Sequence, residues 1–185
     1  MLSTSSHCFG LKRGMDFWIP DASSGEIVDF SQLEAQPPLD AIARWQAERG
    51  ARRFPSRPDA VMAPVEGNTL LVGVIGDGAD YQYLSVGQAL VLGFGMDFSG
   101  QRLSQIEAAM PRFGIGLRML YEMVRSGGEF MCYRGWAGAD MPGAQFLYYE
   151  STILPFGEKE DRVDHILVVS VLVLRDKADL PPSLR

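Results

Sequence analysis

Residues 69–87 read TLLVGVIGDGADYQYLSVG, and this stretch contains two strand patterns joined by a turn pattern. Residues 69–75 are β-branched and apolar, and residues 81–86 resume the same strand character. Gly76-Asp77-Gly78 lies between them and is typical of a turn. The stretch therefore predicts a β-hairpin, whose second strand ends at Gly87.

Two short helices are predicted after the hairpin. Residues 88–94 form an apolar segment that suits one or two helical turns, and Gly95 stops it. Ser104 is expected to cap a second short helix over 105–110, with Glu107 completing a capping box.

The long helix is predicted over residues 112–126, directly after Pro111. Its apolar side chains recur at i, i+4, i+7, i+8 and i+11, so they form one stripe on one helix face. The stripe consists of Phe113, Leu117, Leu120, Tyr121 and Val124. Gly127-Gly128 are expected to end the helix, and the stripe is expected to pack on a sheet.

Three strand patterns follow, over residues 129–136, 145–154 and 163–174. Two strands, several short helices, one long helix and three strands indicate an α+β domain with an antiparallel sheet. We place the core of this domain at residues 66–176 and expect residues 177–185 to be a disordered tail.

The N-terminal third divides into an extension and a linker. Residues 1–36 have a mixed pattern interrupted by glycine and serine, with a short edge strand over 26–30 as one interpretation. Pro37-Pro38 open a predicted helix over 37–50, because proline is tolerated in the first turn of a helix. The helix and an arginine-rich linker together occupy residues 37–65.

The linker begins with residues 49–58, which read RGARRFPSRP. Pro55 and Pro58 forbid a helix and favour an extended path. Its arginines are Arg49, Arg52, Arg53 and Arg57. They are either a patch that binds an anion or a partner, or linker residues that pair with the excess carboxylates of the protein.

Composition limits the function further. The 185 residues contain 17 Lys+Arg and 23 Asp+Glu, a net charge of −6, which argues against a dedicated nucleic-acid binder. Two cysteines and two histidines are too few for a disulfide framework or a metal cluster. No apolar run approaches the roughly 20 residues of a membrane helix, and no secretory signal pattern is present, so we expect a cytoplasmic protein. Met15 is a second candidate for the start, because the residues before it have the character of a leader that does not fold.

The order of elements and several motifs resemble a bacterial PAS subfamily long known as a domain of unknown function. The motifs span residues 42–174 in the order of that family: Trp45, Arg49-Gly50-x-Arg52, Pro55-Ser56-Arg57, Tyr81-x-Tyr83-x-x-Val86-Gly87, Gly95-x-Asp97-x-Ser99-Gly100-x-x-Leu103, Tyr149-Glu150 to Leu154-Pro155, and Val163-Asp164. The second strand departs from the family, because it reads Leu84-Ser85 where an Arg-Leu pair is expected. The resemblance therefore does not extend to a contact made by that arginine.

The resemblance implies a PAS-like fold, a curved five-stranded antiparallel sheet with short helices and the long helix packed on it, preceded by an N-terminal helical extension. It also implies a non-catalytic sensory or protein-interaction module in bacterial signalling, with a small apolar ligand held between the sheet and the long helix. The candidate pocket residues are Phe94, Phe113, Leu117, Leu120, Tyr121, Trp136 and Tyr149.

No metal, flavin or haem is expected. The flavin photosensors of this family carry a cysteine on the helix before the long one, and residues 101–110 contain none. A haem needs an axial ligand, and His165 lies near the start of the last strand pattern rather than on the long helix. Cys132 lies among aromatic residues of a strand pattern, where we interpret it as a small core residue.

Partners are expected on two grounds. Both faces of the last three strands carry large apolar side chains, so a partner subunit or residues 1–50 should cover the second face. We predict a homodimer held by the 37–50 helix and the outer face of the sheet. Signalling is expected to pass through a partner protein, because too few residues lie outside the core for a kinase or a DNA-binding segment.

The alternative is an enzyme, a small isomerase or hydrolase on a curved α+β sheet. Glu150 and Asp140 are its candidate acid pair, and a carboxylate of raised pKa in an apolar pocket would favour it. That fold usually places its helices before most of its strands, whereas two strands precede the helices here. Gly93-Phe94-Gly95 and Gly114-Ile115-Gly116 lack the context of a nucleotide-binding loop, so we interpret them as a helix stop and a close helix contact.

Overall fold

The computed structural model describes residues 23–138 and 143–174. Within them, six strands form one antiparallel sheet in the order β1-β4-β5-β6-β2-β3. The strands are β1 (Ser24–Val28), β2 (Thr69–Ile75), β3 (Asp80–Val86), β4 (Met131–Trp136), β5 (Phe146–Phe156) and β6 (His165–Leu174). The predicted α+β class and antiparallel sheet are confirmed, and the tail over 177–185 lies outside the described residues.

The predicted number of strands was wrong, because the sheet has six strands rather than five. The additional strand, β1, belongs to the expected N-terminal extension and pairs with the edge of β4, from Ser24 opposite Trp136 to Val28 opposite Cys132. Its own alternation is brief, and its side chains are mostly exposed. The edge strand interpreted over 26–30 overlaps β1 at residues 26–28, and the pairing with β4, about a hundred residues away, fixes the actual bounds.

Five α-helices accompany the sheet in the part of the chain that the structure describes. They are α1 (Gln36–Arg49), α2 (Asp59–Met62), α3 (Gln88–Phe94), α4 (Leu103–Ala109) and α5 (Pro111–Gly127). Two of them end as predicted, because Gly95 after α3 and Gly128 after α5 adopt the left-handed conformation, with φ of 72° and 66°. The long helix runs from Pro111 to Gly127, one residue longer at each end than the predicted range of 112–126.

The predicted cap of α4 was wrong. The helix begins at Leu103, and the backbone N–H of Arg102 donates to Gln105 Oε1 at 2.8 Å. The Ser104 hydroxyl instead donates to Asp80 Oδ2 at 2.7 Å, which fastens α4 to β3. The hydroxyl that would have capped the helix locally therefore bonds to Asp80, a residue distant in the sequence.

Helices cover the sheet on both faces. The inner face, which carries Tyr149, Ser151 and Ile153 of β5, packs against α3 and α5. The outer face, which carries the alternate side chains of β5 such as Glu150 and Leu154, packs against α1. The outer cover is therefore part of the chain itself, which is one of the two covers expected from the sequence.

Trp45 anchors α1 on the outer face. Its side chain is fully buried, and its indole N–H donates to the carbonyl of Pro155 at 2.8 Å. The carboxylate of Glu150 accepts the backbone N–H groups of Glu34 and Ala35, both at 2.8 Å, just before the helix begins. The buried Glu150 therefore fixes the entry to α1, since charge-assisted hydrogen bonds are among the stronger ones.

Ion pairs fasten α5 to the hairpin at the other edge of the sheet. Glu122 accepts from Arg125 Nε at 2.9 Å and from the hydroxyl of Tyr81 at 2.7 Å. Hydrogen bonds from Arg125 lower the pKa of Glu122 to about 2. Arg125 also reaches Asp77 in the turn of the hairpin at 2.8 Å, so the helix and the turn are held by one network.

Candidate functional site

A cavity of about 330 Å³ lies between the inner face of the sheet and helices α3 and α5. Its volume is at the lower end of the range for small-molecule pockets, roughly 300–1,000 Å³. Six of the seven predicted pocket residues line it: Phe94, Phe113, Leu117, Leu120, Tyr121 and Tyr149. The helical stripe of α5 thus forms one wall, as its spacing predicts.

The prediction placed Trp136 wrongly, because this residue lies outside the cavity. Alternation along β4 puts Tyr133 on the inner face and Trp136, three positions later, on the outer face. The Trp136 side chain is 41% exposed, and its ring lies 4.9 Å from that of Tyr148.

One end of the cavity is aromatic. The ring of Phe94 lies 5.4 Å from the rings of Phe98 and Phe146 and 5.9 Å from that of Phe113. Gly93, next to it on α3, lets the helix approach the sheet closely, because a Cβ there would overlap the side chain of Leu172. The arrangement offers ring faces and edges to an apolar ligand.

Two tyrosine pairs lie at opposite sides of the cavity. The hydroxyls of Tyr83 and Tyr121 are 3.4 Å apart, and the rings of Tyr133 and Tyr149 are 5.7 Å apart. Burial raises the pKa of Tyr83 to about 12 and raises the pKa of Tyr121 well above its usual value. Burial, together with a hydrogen bond to Tyr133, also raises the pKa of Tyr149. These three hydroxyls are therefore neutral at pH 7.

Two glycines make room for the second tyrosine pair. Gly25 of β1 and Gly135 of β4 lie directly opposite each other in the sheet. A Cβ at Gly25 would overlap the hydroxyl of Tyr133, and one at Gly135 would lie 2.7 Å from the hydroxyl of Tyr149. Strand β1 thus takes part in the site, which the sequence patterns could not show without its pairing.

A pair of serines lies between the two tyrosine pairs. Ser151 of β5 and Ser170 of β6 are opposite each other on the two central strands, and their hydroxyls are 2.6 Å apart. Both residues are buried, and both line the cavity. Neither serine is among the predicted site residues, although a serine inside an apolar strand pattern is a signal that could have identified them.

Arg112 is the one charged side chain among the described residues that line the cavity. It lies in the first turn of α5 and is exposed. Apart from Arg112, hydroxyl groups are the polar side-chain groups in this lining, and no carboxylate is among them. The described lining therefore combines an apolar surface with neutral hydrogen-bonding groups.

The four linker arginines separate into two pairs that hold loops and helix ends. Arg49 pairs with Glu129 at 3.6 Å, and Arg53 donates to the carbonyl of Gly127 at 2.6 Å, both near the end of α5. At the β5–β6 connection, Arg52 donates to the carbonyl of Gly157 at 3.0 Å and Arg57 pairs with Glu158 at 3.8 Å. These contacts favour the interpretation of structural linker residues over that of an anion-binding patch.

The remaining residues considered for catalysis or for metal or haem binding are Cys132, His165 and Glu150, and none of them lines the cavity. Cys132 is buried on the outer face, where burial raises the pKa of its thiol to about 11. His165 is a half-buried residue at the first position of β6. Glu150 binds the backbone before α1, and its proposed partner Asp140 lies outside the described residues. Among residues 23–138 and 143–174, no three acidic, histidine or cysteine side chains are grouped as a metal site would need.

The two glycine-containing segments have the roles interpreted from the sequence. Gly95 ends α3, and Gly114 of α5 packs against α4 so closely that a Cβ there would lie 2.6 Å from the Cα of Glu107. No helix in the described part of the chain has the length and apolarity that crossing a membrane requires.

Comparison of the chain with protein-family models, curated proteins and solved structures gives no match. The PAS resemblance therefore stays a prediction based on the order of motifs.

Proposed function

We propose that this protein is a non-catalytic sensory or protein-interaction module of the PAS type, which binds a small apolar ligand between its sheet and α5. The observation that carries the proposal is the cavity of about 330 Å³, lined by the apolar stripe of α5 and by aromatic side chains. Such a lining, with few polar groups that orient the ligand, is typical of a small-molecule site.

The composition of the lining supports binding over catalysis. A general acid or base needs a titratable group whose pKa lies near the working pH. The tyrosines of the lining whose pKa is shifted, Tyr83, Tyr121 and Tyr149, are all shifted upward and away from neutrality. Of the candidate acid pair, Glu150 lies on the opposite face of the sheet, so the enzyme alternative gains no support from it.

Native mass spectrometry of the purified full chain tests this proposal. We expect one small organic molecule per chain, either carried through purification or added as 2-isopropylnaphthalene. The variant Leu117→Trp, which fills the cavity, should lose the added mass, whereas Met119→Trp on the exposed side of the same helix should retain it. Spectra of the bare chain alone, with and without the added compound, would contradict the proposal.

We also propose that the module acts as a homodimer and passes its signal to a partner protein. Because α1 already packs on its own sheet, the support for a dimer is the exposed apolar surface of the outer face, where Val173 is 39% exposed. Sedimentation of the full chain at about 50 µM should give twice 20.4 kDa, because an interface of standard size is occupied at that concentration. A monomer under these conditions would exclude the dimer.

A further inference from the structure

Ser151 and Ser170 occupy positions that packing alone does not explain. They face each other across the two central strands, and their neighbours on the inner face are Ile153, Val168 and Leu172. Strand interiors favour β-branched and aromatic side chains, which fill such positions better than serine does. Two buried serines on the floor of an apolar cavity therefore point to a polar contact.

The hydrogen-bonding capacity of the pair is not exhausted by its internal bond. Two hydroxyls carry two protons and four lone pairs, and the 2.6 Å contact between the Oγ atoms uses one of each. The other proton is free to point into the cavity that both residues line. A buried hydroxyl whose proton finds no acceptor is unfavourable, so a ligand oxygen at this place would satisfy it.

The surroundings of the pair favour a neutral oxygen over a carboxylate. The tyrosines that line the cavity are held in the neutral form by burial, and the charged Arg112 is exposed in the first turn of α5. Because the inner-face neighbours of the serine pair are Ile153, Val168 and Leu172, an anion there would lose its hydration among uncharged groups, which is strongly unfavourable. A carbonyl, ether or hydroxyl oxygen loses much less hydration and still accepts the hydrogen bond.

We propose that the Ser151–Ser170 pair is the polar anchor of the site and selects an uncharged ligand, a ring-containing apolar molecule whose carbonyl or similar oxygen accepts a hydrogen bond from the pair. The ring is expected because Phe94, Phe98 and Phe146 present their faces and edges at the cavity. This inference rests on the proposed function, since it concerns the ligand of the same cavity.

Three probes of nearly equal shape test the anchor: 2-acetylnaphthalene, 2-isopropylnaphthalene and 2-naphthoate. They share the ring system and differ in carrying a neutral acceptor, no acceptor or a negative charge. Dissociation constants are measured by protein-observed NMR on the full chain. We expect the acetyl compound to bind about tenfold more tightly than the isopropyl compound, which corresponds to one net hydrogen bond.

Two variants test whether the preference for the acetyl compound comes from the serine hydroxyls. The double variant Ser151→Ala/Ser170→Ala should bind both neutral probes equally. Thr152→Val removes a hydroxyl from the opposite face of the same strand and should keep the tenfold preference, because its hydroxyl bonds to the carbonyl of Met131. If the double variant does not fold, the comparison of probes on the unmodified chain still decides the question.

The outcomes distinguish the proposal that the serine pair is an anchor from the proposal that the cavity binds a ligand. Equal binding of the two neutral probes to the unmodified chain would overturn the anchor and leave the cavity as a ligand site. Tightest binding of 2-naphthoate would overturn the preference for an uncharged ligand. Failure of all three probes to bind would overturn both the anchor and the proposed ligand-binding function.

Discussion

The two faces of the sheet are built from the same strands but are packed differently. On the outer face, Trp45, Leu154 and Phe54 are fully buried, and the carboxylate of Glu150 is matched by backbone donors. On the inner face, α5 and the sheet leave a cavity of about 330 Å³, and the α5 residues Leu117 and Leu120 are only half-buried. Alternation along β5 thus directs one set of side chains to a dense core and the other to an open site.

This difference separates stability from function within one element. A densely packed face contributes most of the burial free energy, because dispersion and the hydrophobic effect both require close contact. A face that retains a cavity gives up part of that free energy, as binding sites generally do. Substitutions on the outer face should therefore change the free energy of unfolding, and substitutions on the inner face should mainly change binding.

The largest effect is expected for Trp45→Ala on the outer face. It removes the fully buried indole and its hydrogen bond to Pro155, so the free energy of unfolding should fall by about 3–5 kcal/mol. Arg44→Ala, at the exposed neighbouring position, is the control and should change it by less than about 0.5 kcal/mol. Urea denaturation gives both free energies of unfolding when it is followed by circular dichroism of the backbone, a signal that does not rely on the replaced tryptophan. Similar values for the two variants would show that Trp45 does not anchor α1 on the outer face.

A pair of identical substitutions compares the faces directly. Leu154→Ala on the outer face should cost about 4 kcal/mol, and Leu120→Ala beside the cavity about 2 kcal/mol, both within the range for buried leucines. The second value is smaller because the side chain already borders open space. The reverse order, measured by the same denaturation, would mean that the cavity is closed in solution, and a loss below about 0.5 kcal/mol for Leu120→Ala would mean that the stripe of α5 faces water.

Replacing the carboxylate of Glu150 on the outer face should lower the free energy of unfolding by a smaller amount. Glu150→Gln weakens three hydrogen bonds, from the backbone of Glu34 and Ala35 and from the hydroxyl of Tyr148, and should cost about 1.5–3 kcal/mol. Glu34→Gln changes the same charge at an exposed position and is the matched control. Equal free energies of unfolding for the two variants would show that Glu150 does not fix the entry to α1.

The smallest effect concerns two glycines of the same helix. Gly116 lines the cavity with no atom near its missing Cβ, so Gly116→Ala should stabilise the protein by about 1 kcal/mol through helix propensity. Gly114 packs against Glu107, so Gly114→Ala should destabilise it. Thermal unfolding of both variants gives the two signs, and two equal shifts would contradict the packing of α5 against α4.

The parts of the fold that were predictable have local signals. The turn over 76–78 has positive φ angles at Gly76, Asp77 and Gly78, which glycine and aspartate tolerate, and the helical stripe of α5 is complete within 12 residues. Four of the six predicted residues that line the cavity, Phe113, Leu117, Leu120 and Tyr121, belong to this stripe. Trp136 was misplaced because the aromatic character of a strand does not reveal which face a residue occupies until its neighbours are known.

The rest of the site depends on pairings between distant strands. The serine pair exists only because β5 and β6 align Ser151 with Ser170, and the space above the tyrosines exists only because Gly25 and Gly135 align. A shift of either register by one residue would turn these side chains to the other face. Sequence patterns give the strands but not this alignment, so the polar part of the cavity could not be predicted.

Methyl NMR during titration with 2-isopropylnaphthalene shows whether the inner face of the sheet is the binding face. Ring currents of the bound compound should shift the methyl signals of Ile153, Val168 and Leu172 on the inner face. The methyl signals of Leu154, Leu167 and Val169, which point to the outer face of the same strands, should stay in place. Shifts confined to the outer-face methyls, or no shift at either face up to the solubility limit of the compound, would contradict the account.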